Sequence, residues 1–220
     1  MTEYFPVFYD IETTGLNPMI EPWYNAQASE VTAVAMGWYP DYPDSLEKRE
    51  IEVVVNEGND EYEVIGEVLD RFADIVTRGY DPLIRVGWNI KQFDDPYFCA
   101  RAGRLNQNAH FMMKWRRLDM MRALTLPEDW WDEEFHEGKN RNYPKQDDYA
   151  RYLDIDFNDS LDGSQMPDAF EDGDYDKIAE HVLDDMNVMM EIFSQEAHAC
   201  LSHFEEHYDF PEMDYWWRDI

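Results

Sequence analysis

Lysine, cysteine and long apolar stretches are scarce in this chain of 220 residues. The two cysteines, Cys99 and Cys200, provide no disulfide framework. No apolar run approaches the ~20 residues that cross a bilayer. The first residues also lack the basic start of a secretory signal. We therefore expect a soluble, cytoplasmic protein, whose length corresponds to one domain or to one domain with a small extension.

Acidic residues are abundant instead: 49 Asp and Glu stand against 18 Lys and Arg, which gives a net charge of -31. Hydrophobic residues make up 44% of the chain, enough for a packed core despite the charge. Such a charge causes self-repulsion in dilute salt, whereas molar salt shortens the Debye length to about 3 Å. Because the acids are spread along the chain, the sequence favours a halophilic protein over an acidic protein with a cationic partner.

The charge is distributed unevenly along the chain. Residues 85–151 contain twelve basic and eleven acidic residues, so this segment is nearly neutral. Two interpretations stay open at this point, because charge balance alone does not locate a site. The segment either faces a polyanion or is more deeply buried than the rest.

Apolar periodicity predicts four strands, at residues 5–9, 31–39, 51–55 and 83–86. Helical spacing covers residues 61–77, and Asp94 with Pro96 marks a helix start that ends near Gly103. A long amphipathic helix is predicted from Tyr175 to about Leu201. The alternation of strands and helices indicates an α/β protein with a mixed sheet.

Asp10 and Glu12 stand at the end of the first predicted strand, between apolar flanks and a Thr-Thr-Gly turn. Side chains alternate in a strand, so the two carboxylates project to the same face about 7 Å apart along the backbone. Neighbouring carboxylates repel each other unless a cation lies between them. The pair is therefore a candidate metal site, although such pairs also occur on exposed strands.

Two further acidic positions are also candidate metal ligands. Asp94 follows Asn89 and Phe93 after the fourth strand, and it could equally cap the helix that starts there. His181 and Asp185 are four residues apart on the long predicted helix and so share one face. A solvated acidic face is the alternative interpretation of Asp185.

Together, Asp10-x-Glu12, Asn89-x3-Phe93-Asp94 and His181-x3-Asp185 resemble the three exonuclease motifs of the DEDD superfamily of 3′-5′ exonucleases. The closer resemblance is to the proofreading exonuclease domains of family B DNA polymerases and their free-standing relatives, and it is most specific over residues 87–98. The resemblance implies a ribonuclease H-like fold, a mixed five-stranded sheet flanked by helices. It covers about residues 4–193, so we expect an exonuclease domain at residues 1–195 and a C-terminal extension of it at 196–220.

One position departs from the motif. The polymerase-like group has Tyr four residues before the last Asp, where this chain has His181. The other large group of the superfamily has His five residues before that Asp, where this chain has Glu180. His181 therefore combines the position of one group with the residue type of the other.

The resemblance implies that Asp10, Glu12, Asp94 and Asp185 hold two divalent ions, Mg²⁺ or Mn²⁺. Asp10 is expected to bridge the ions, Glu12 and Asp185 to serve the ion of the nucleophile, and Asp94 to serve the other. His181 is expected to orient or deprotonate the attacking water.

The same resemblance suggests the substrate contacts. The contacts it implies for the terminal nucleotides are Thr13, Thr14, Leu16, Asn89 and Phe93. By their charge, Lys91, Arg116 and Arg117 are candidate phosphate contacts, the last two within the basic-aromatic patch at residues 114–117. The expected activity is metal-dependent removal of nucleotides from the 3′ end of single-stranded DNA. A single-stranded nucleic acid, DNA favoured over RNA, is the expected partner, with a replication or repair protein as a second one and no membrane. The alternatives are a 3′-5′ exoribonuclease and a non-catalytic tethering subunit.

Overall fold

A five-stranded sheet forms the centre of the protein. The computed structural model describes residues 4–15, 29–58, 60–78, 83–130, 141–158, 161 and 163–207. Alternating and continuous apolar runs form the strands β1 (Phe5–Thr13), β2 (Val31–Trp38), β3 (Glu50–Val55) and β4 (Leu83–Gly87). The short strand β5 (Arg116–Asp119) has one apolar residue, Leu118.

The strands lie in the order β3-β2-β1-β4-β5. The first three are antiparallel neighbours, with Asp10 opposite Ala35 and Glu12 opposite Ala33. β4 and β5 run parallel to β1, with Phe8 opposite Val86 and Gly87 opposite Asp119. The carboxyl ends of β1, β4 and β5 therefore meet at the same edge of the sheet.

Helices cover both faces of the sheet. They are α1 (Glu61–Thr77), α2 (Asp94–Arg104), α3 (Met120–Ala123), α4 (Gln146–Tyr152), α5 (Met166–Asp172) and α6 (Tyr175–His207), with 3₁₀ turns at Met112–Lys114 and Gly163–Gln165. α6 is interrupted at Glu196, whose backbone is not helical. None of the helices within these described ranges is long and apolar enough to cross a membrane.

The alternation of side chains in β1 divides the core into two halves. Val7, Tyr9 and Ile11 point into a buried cluster beneath α1 and α2. Phe8 points to the opposite face, into a cluster that α6 covers. Asp10 and Glu12 follow Phe8 at even spacing, so they lie on the α6 face of the sheet.

The structure confirms the expected α/β architecture, a mixed five-stranded sheet with flanking helices. The predicted helix at residues 61–77 has the observed bounds, and the Asp60 side chain accepts a hydrogen bond from the Tyr62 N–H at its start. α5 was not predicted, because its seven residues contain too few apolar positions for a periodic signal. The predicted C-terminal extension begins at the interruption of α6, and its residues beyond His207 lie outside the described part of the chain.

Candidate active site

Residues from three elements that are distant in sequence converge beside the carboxyl end of β1. Asp10 and Glu12 come from β1, and Asp94 begins α2. His181 and Asp185 come from α6. In sheets with parallel strands, the crevice at the carboxyl ends of the strands is where ligands bind. The predicted metal-binding residues are thus brought together at a place where this architecture forms clefts.

The connection between β4 and α2 positions Asp94. Gly87 is the last residue of β4. A Cβ atom on this residue would lie 2.8 Å from the Cβ of Ile90 and 3.0 Å from the carbonyl oxygen of Tyr9, so a larger residue would push the connection away from β1. Asn89 then adopts a left-handed conformation, with φ of 62°. The chain turns back immediately and places Asp94 against β1.

Asp119 at the end of β5 holds this turn in place. Its carboxylate accepts hydrogen bonds from the backbone N–H groups of Asn89 at 3.0 Å and Lys91 at 3.4 Å. Asp119 is 2% exposed. Burial raises the pKa of its carboxyl, although the two hydrogen bonds partly oppose this effect. Asp119 was not predicted, because only the folded turn brings it to these N–H groups.

Asp94 contacts β1 directly and does not cap α2. Its Oδ1 atom accepts a hydrogen bond from the Ile11 N–H at 3.3 Å, which places the carboxylate beside the backbone between Asp10 and Glu12. The cap residue of α2 is Phe93, which makes no capping hydrogen bond with its side chain. Of the two sequence interpretations of Asp94, the structure thus supports the one in which it joins the acidic cluster.

Packing on the sheet fixes the position of α6. Phe193 meets Phe8 edge to face, with ring centroids 5.1 Å apart, and the Tyr39 hydroxyl donates to the carbonyl of Met190. Two turns before these contacts, α6 presents His181 and Asp185 to Glu12. The Nε2 atom of His181 lies 3.4 Å from Glu12 Oε1 and 3.5 Å from Asp185 Oδ2.

Burial and neighbouring negative charges raise the pKa values of Asp10 and Asp94. Burial raises the pKa of Asp10 well above its usual value, and the charges of Asp94, Glu12 and Asp185 raise it further. Burial likewise raises the pKa of Asp94, with a further contribution from the charge of Asp95. The cluster therefore holds more negative charge than the protein compensates, which is the electrostatic condition for a cation site.

Asp185 and His181 form an interacting pair in this field. Burial raises the pKa of Asp185 to about 7, with His181 opposing this shift and Glu12 adding to it. Burial acts to lower the pKa of His181, but the hydrogen bond that its imidazole donates to Glu12 and the charge of Asp185 outweigh it, so the pKa is raised.

Two observations fit a metal ion to this cluster. Asp94 is 2% exposed, and its Oδ2 atom is buried without a hydrogen-bond partner among the described residues. Burying a carboxylate oxygen without a hydrogen-bond partner costs folding free energy unless a cation binds it. Glu12, His181 and Asp185 each offer one ligand atom, and these atoms lie within 4.8 Å of one another. Hard carboxylate oxygens suit Mg²⁺ and Mn²⁺.

A cleft of about 630 Å³ opens beside the cluster. Glu12, His181 and Asp185 form one wall, and the other lining residues include Lys145, Asp147, Arg151, Phe157 and Gln165. Lys145 and Arg151 belong to none of the sequence motifs described above. The available signal was their place at the end of the nearly neutral segment 85–151, which thus contributes basic side chains to the cleft.

The expected contacts to the terminal nucleotides lie around the cluster. Thr13 is buried at the end of β1, and the Thr14 hydroxyl accepts a hydrogen bond from the Glu30 N–H at 2.8 Å. Phe93 stacks at an angle on Tyr97. The Oδ1 atom of Asn89 is buried without a hydrogen-bond partner among the described residues. Their roles toward a substrate stay predictions, and Leu16 lies outside the described residues.

The three expected phosphate contacts are placed differently. Lys91 is exposed on the turn that carries Asp94. Arg116 donates to the Tyr4 hydroxyl and lies over the Tyr4 ring, and Arg117 pairs with Asp95 at 3.4 Å. Both guanidinium groups thus have partners within the protein. Of the three side chains, that of Lys91 is exposed and the other two are half-buried, and exposure agrees best with a role in substrate binding.

Comparison with solved structures finds the same arrangement of elements. The family B DNA polymerase from the hyperthermophilic archaeon Pyrobaculum calidifontis matches with a TM-score of 0.61 and 20% identity, over 88% of this chain and 24% of that one. The chain thus spans about a quarter of the length of the polymerase chain that it matches. At this identity the likeness is one of fold, a ribonuclease H-like arrangement. No family model and no curated protein matches the chain.

Proposed function

We propose that this protein is a metal-dependent 3′-5′ exonuclease that removes nucleotides from the 3′ end of single-stranded DNA. The proposal depends chiefly on the convergence of four carboxylates, Asp10, Glu12, Asp94 and Asp185, beside the carboxyl end of β1. The sequence motifs that provide them resemble exonuclease motifs, and the fold is similar to part of a family B DNA polymerase.

The protein's own residues account for the requirements of such a reaction. Asp10, Glu12, Asp94 and Asp185 would hold two divalent ions, which supply Lewis acidity and a reactive water for phosphodiester hydrolysis. The cleft next to Glu12 would admit the 3′ end of the strand. Lys145 and Arg151 line that cleft and would contact phosphates. A general-base role for His181 stays a prediction.

Single-stranded DNA is favoured because an open cleft admits a strand without a paired complement, and base stacking would provide affinity where salt screens the phosphates. Repair or replication proteins are the proposed protein partners. With a net charge of -31, the protein is proposed to act at high salt concentration.

The test is digestion of 5′-labelled DNA and RNA oligonucleotides in molar KCl, with Mn²⁺, with Mg²⁺ and with a chelator. We expect a ladder that shortens from the 3′ end of DNA only when metal is present. A substrate blocked by a 3′ phosphorothioate linkage should resist digestion.

The matched variants are Asp10→Asn, which should abolish the ladder, and Asp70→Asn, an exposed acid of α1 that should leave it unchanged. Activity of Asp10→Asn equal to that of the wild type would contradict the proposal. A ladder on RNA alone would assign the chain to the exoribonucleases instead.

A further inference from the structure

The imidazole of His181 is enclosed by the two carboxylates that belong to the candidate metal site. Its side chain is 10% exposed, and Nε2 lies 3.4 Å from Glu12 Oε1 and 3.5 Å from Asp185 Oδ2. Resemblance to the exonuclease motifs implies that this residue acts on the attacking water. In the structure, however, the same nitrogen atom points at both carboxylates.

Two of the three distances between these atoms are those of ligands around one ion, and all three atoms lie within 4.8 Å of one another. Ligand atoms held about 2.0–2.2 Å from an ion, at tetrahedral or octahedral angles, lie roughly 2.8–3.6 Å apart. The distances from Nε2 to Glu12 and Asp185 fall within that range. Little rearrangement of His181 would be needed for coordination.

Charge balance indicates that a cation belongs between these groups. A protonated His181 would provide one positive charge, whereas Asp10, Glu12, Asp94 and Asp185 provide up to four negative charges in a largely buried cluster. The Asp94 Oδ2 atom has no hydrogen-bond partner among the described residues. An imidazolium ion in the position of His181 therefore leaves most of the charge uncompensated, whereas divalent ions would balance it.

We propose that His181 is itself a metal ligand, which binds a first-row transition-metal ion through Nε2 together with Glu12 and Asp185. This inference rests on the proposed function, which provides the second ion and the catalytic role of the site. A nitrogen ligand favours ions such as Mn²⁺ and Zn²⁺ over Mg²⁺, which prefers oxygen. The Asp10 and Asp94 carboxylates provide only oxygen atoms, so the two ion positions differ in selectivity.

Mn²⁺ is the probe that tests for the nitrogen ligand, because a nitrogen atom bound to Mn²⁺ modulates the electron spin echo of the ion. The full chain is freed of metal by a chelator, exchanged into molar KCl and given less than one equivalent of Mn²⁺. We expect a ¹⁴N modulation in the wild type, its loss in His181→Gln, and its retention in His198→Ala, an exposed histidine of the same helix.

Titration calorimetry with Mn²⁺ and Mg²⁺ provides a second, independent measurement. His181→Gln is expected to weaken Mn²⁺ binding tenfold or more, since loss of even an outer partner of a ligand costs about 10–100-fold. Binding of Mg²⁺ should change by less than about threefold. Equal losses for both ions would contradict the proposed nitrogen ligand.

The outcomes separate this inference from the proposed function. Bound Mn²⁺ without ¹⁴N modulation in the wild type overturns the inference, as does modulation that persists in a folded His181→Gln protein. If the oligonucleotide ladder still forms in either case, the proposed function stands. A nitrogen signal without any cleavage supports the metal ligand and contradicts the exonuclease, and failure to bind Mn²⁺ overturns both.

If His181→Gln does not fold, wild-type protein labelled with ¹⁵N at all six histidines tests whether a histidine binds the ion at all. Labelling must replace the ¹⁴N modulation by that of ¹⁵N if a histidine binds the ion, and the His198→Ala protein must behave in the same way. An unchanged spectrum overturns the inference.

Discussion

The Arg85 guanidinium donates to the carboxylate of Asp95, the residue that follows Asp94 at the start of α2, and both side chains are completely buried. This ion pair joins β4 to α2 behind the acidic cluster. Removing one partner of a buried pair leaves the other charge poorly compensated in the interior, and without Arg85 only Arg117, at 3.4 Å, would remain beside Asp95. The pair therefore holds the first turn of α2 in place, and Asp94 with it.

Replacement of Arg85 should destabilise the protein strongly. Arg85→Leu is expected to lower the free energy of unfolding by about 3–5 kcal/mol in urea titrations, whereas the double variant Arg85→Leu/Asp95→Leu should recover much of the loss. Arg71→Ala is the control, because Arg71 pairs with Glu52 and Glu67 at the surface and should cost at most about 1 kcal/mol. Equal losses for Arg85→Leu and Arg71→Ala would show that the buried pair has no special role.

Asp10→Asn should stabilise the metal-free protein while it abolishes cleavage. Burial raises the pKa of Asp10, and the charges of Asp94, Glu12 and Asp185 raise it further, so the ionised carboxylate is disfavoured in the folded protein. Asn carries no charge at this position, so we expect the free energy of unfolding at neutral pH to rise. Asp70→Asn should change stability by less than about 0.5 kcal/mol. A loss of stability in Asp10→Asn would mean that its carboxylate is not repelled.

The stability of the metal-free protein should depend on the protonation of Asp185. Its pKa is raised from 3.8 to about 7 on folding, so the folded state binds this proton more tightly. The contribution of Asp185 to stability is therefore greatest below about pH 4 and is lost as the pH rises through about 7. Denaturant titrations should show that wild type loses stability relative to Asp185→Asn across this range. Parallel curves for the two proteins would contradict the raised pKa.

Saturating Mn²⁺ should reverse this pH dependence. Metal ligands must be deprotonated, so binding stabilises the folded state more as the pH rises. Thermal unfolding of the wild type with Mn²⁺ is expected to shift to higher temperature as the pH rises through about 7, where Asp185 loses its proton. In Asp185→Asn the shift should be much smaller.

Lys91→Ala should weaken substrate binding without lowering the turnover number. Lys91 is exposed on the turn that carries Asp94, so it can reach a phosphate near the scissile bond. In dilute salt we expect KM to rise several-fold, and the slope of log KM against log salt to fall by about 1. The control is Lys48→Ala, a lysine on the connection between β2 and β3 that should affect neither quantity. A lower kcat with unchanged KM would place Lys91 outside the phosphate contacts.

Salt should stabilise this protein over a wide range. Its 49 acidic side chains repel one another in dilute buffer, and concentrated KCl screens that repulsion. The midpoint of thermal unfolding is expected to rise continuously from dilute buffer to molar KCl. A midpoint that stops rising near physiological salt would argue against the halophilic interpretation.

Periodicity and spacing predict much of the fold and most of the acidic cluster. Asp10 and Glu12 could be found because strand alternation puts them on one face, and His181 and Asp185 because four residues make one helical turn. Asp119 could not be found from the sequence, because its role depends on the left-handed turn at Asn89, which hydrophobic patterning does not encode.

The basic residues show a second limit of sequence patterns. Arg116 and Arg117 resemble a phosphate-binding patch in the sequence, yet in the fold they contact Tyr4 and Asp95. Lys145 and Arg151 carry the same charge and line the cleft, although Arg151 also pairs with Asp148 at 3.4 Å. Charge alone does not distinguish the two pairs, because the partner of an arginine is set by strand register and helix packing.

The last described helix completes the cluster. During translation, a nascent chain that has released residues up to Asp94 already contains three of the four carboxylates, but it lacks Asp185 and His181 until α6 has emerged and packed against β1. Incomplete translation products and fragments cut by proteases before α6 therefore lack part of the ion-binding set. On the proposed function, the order of synthesis itself would keep an unfinished nuclease from degrading nucleic acid near the ribosome.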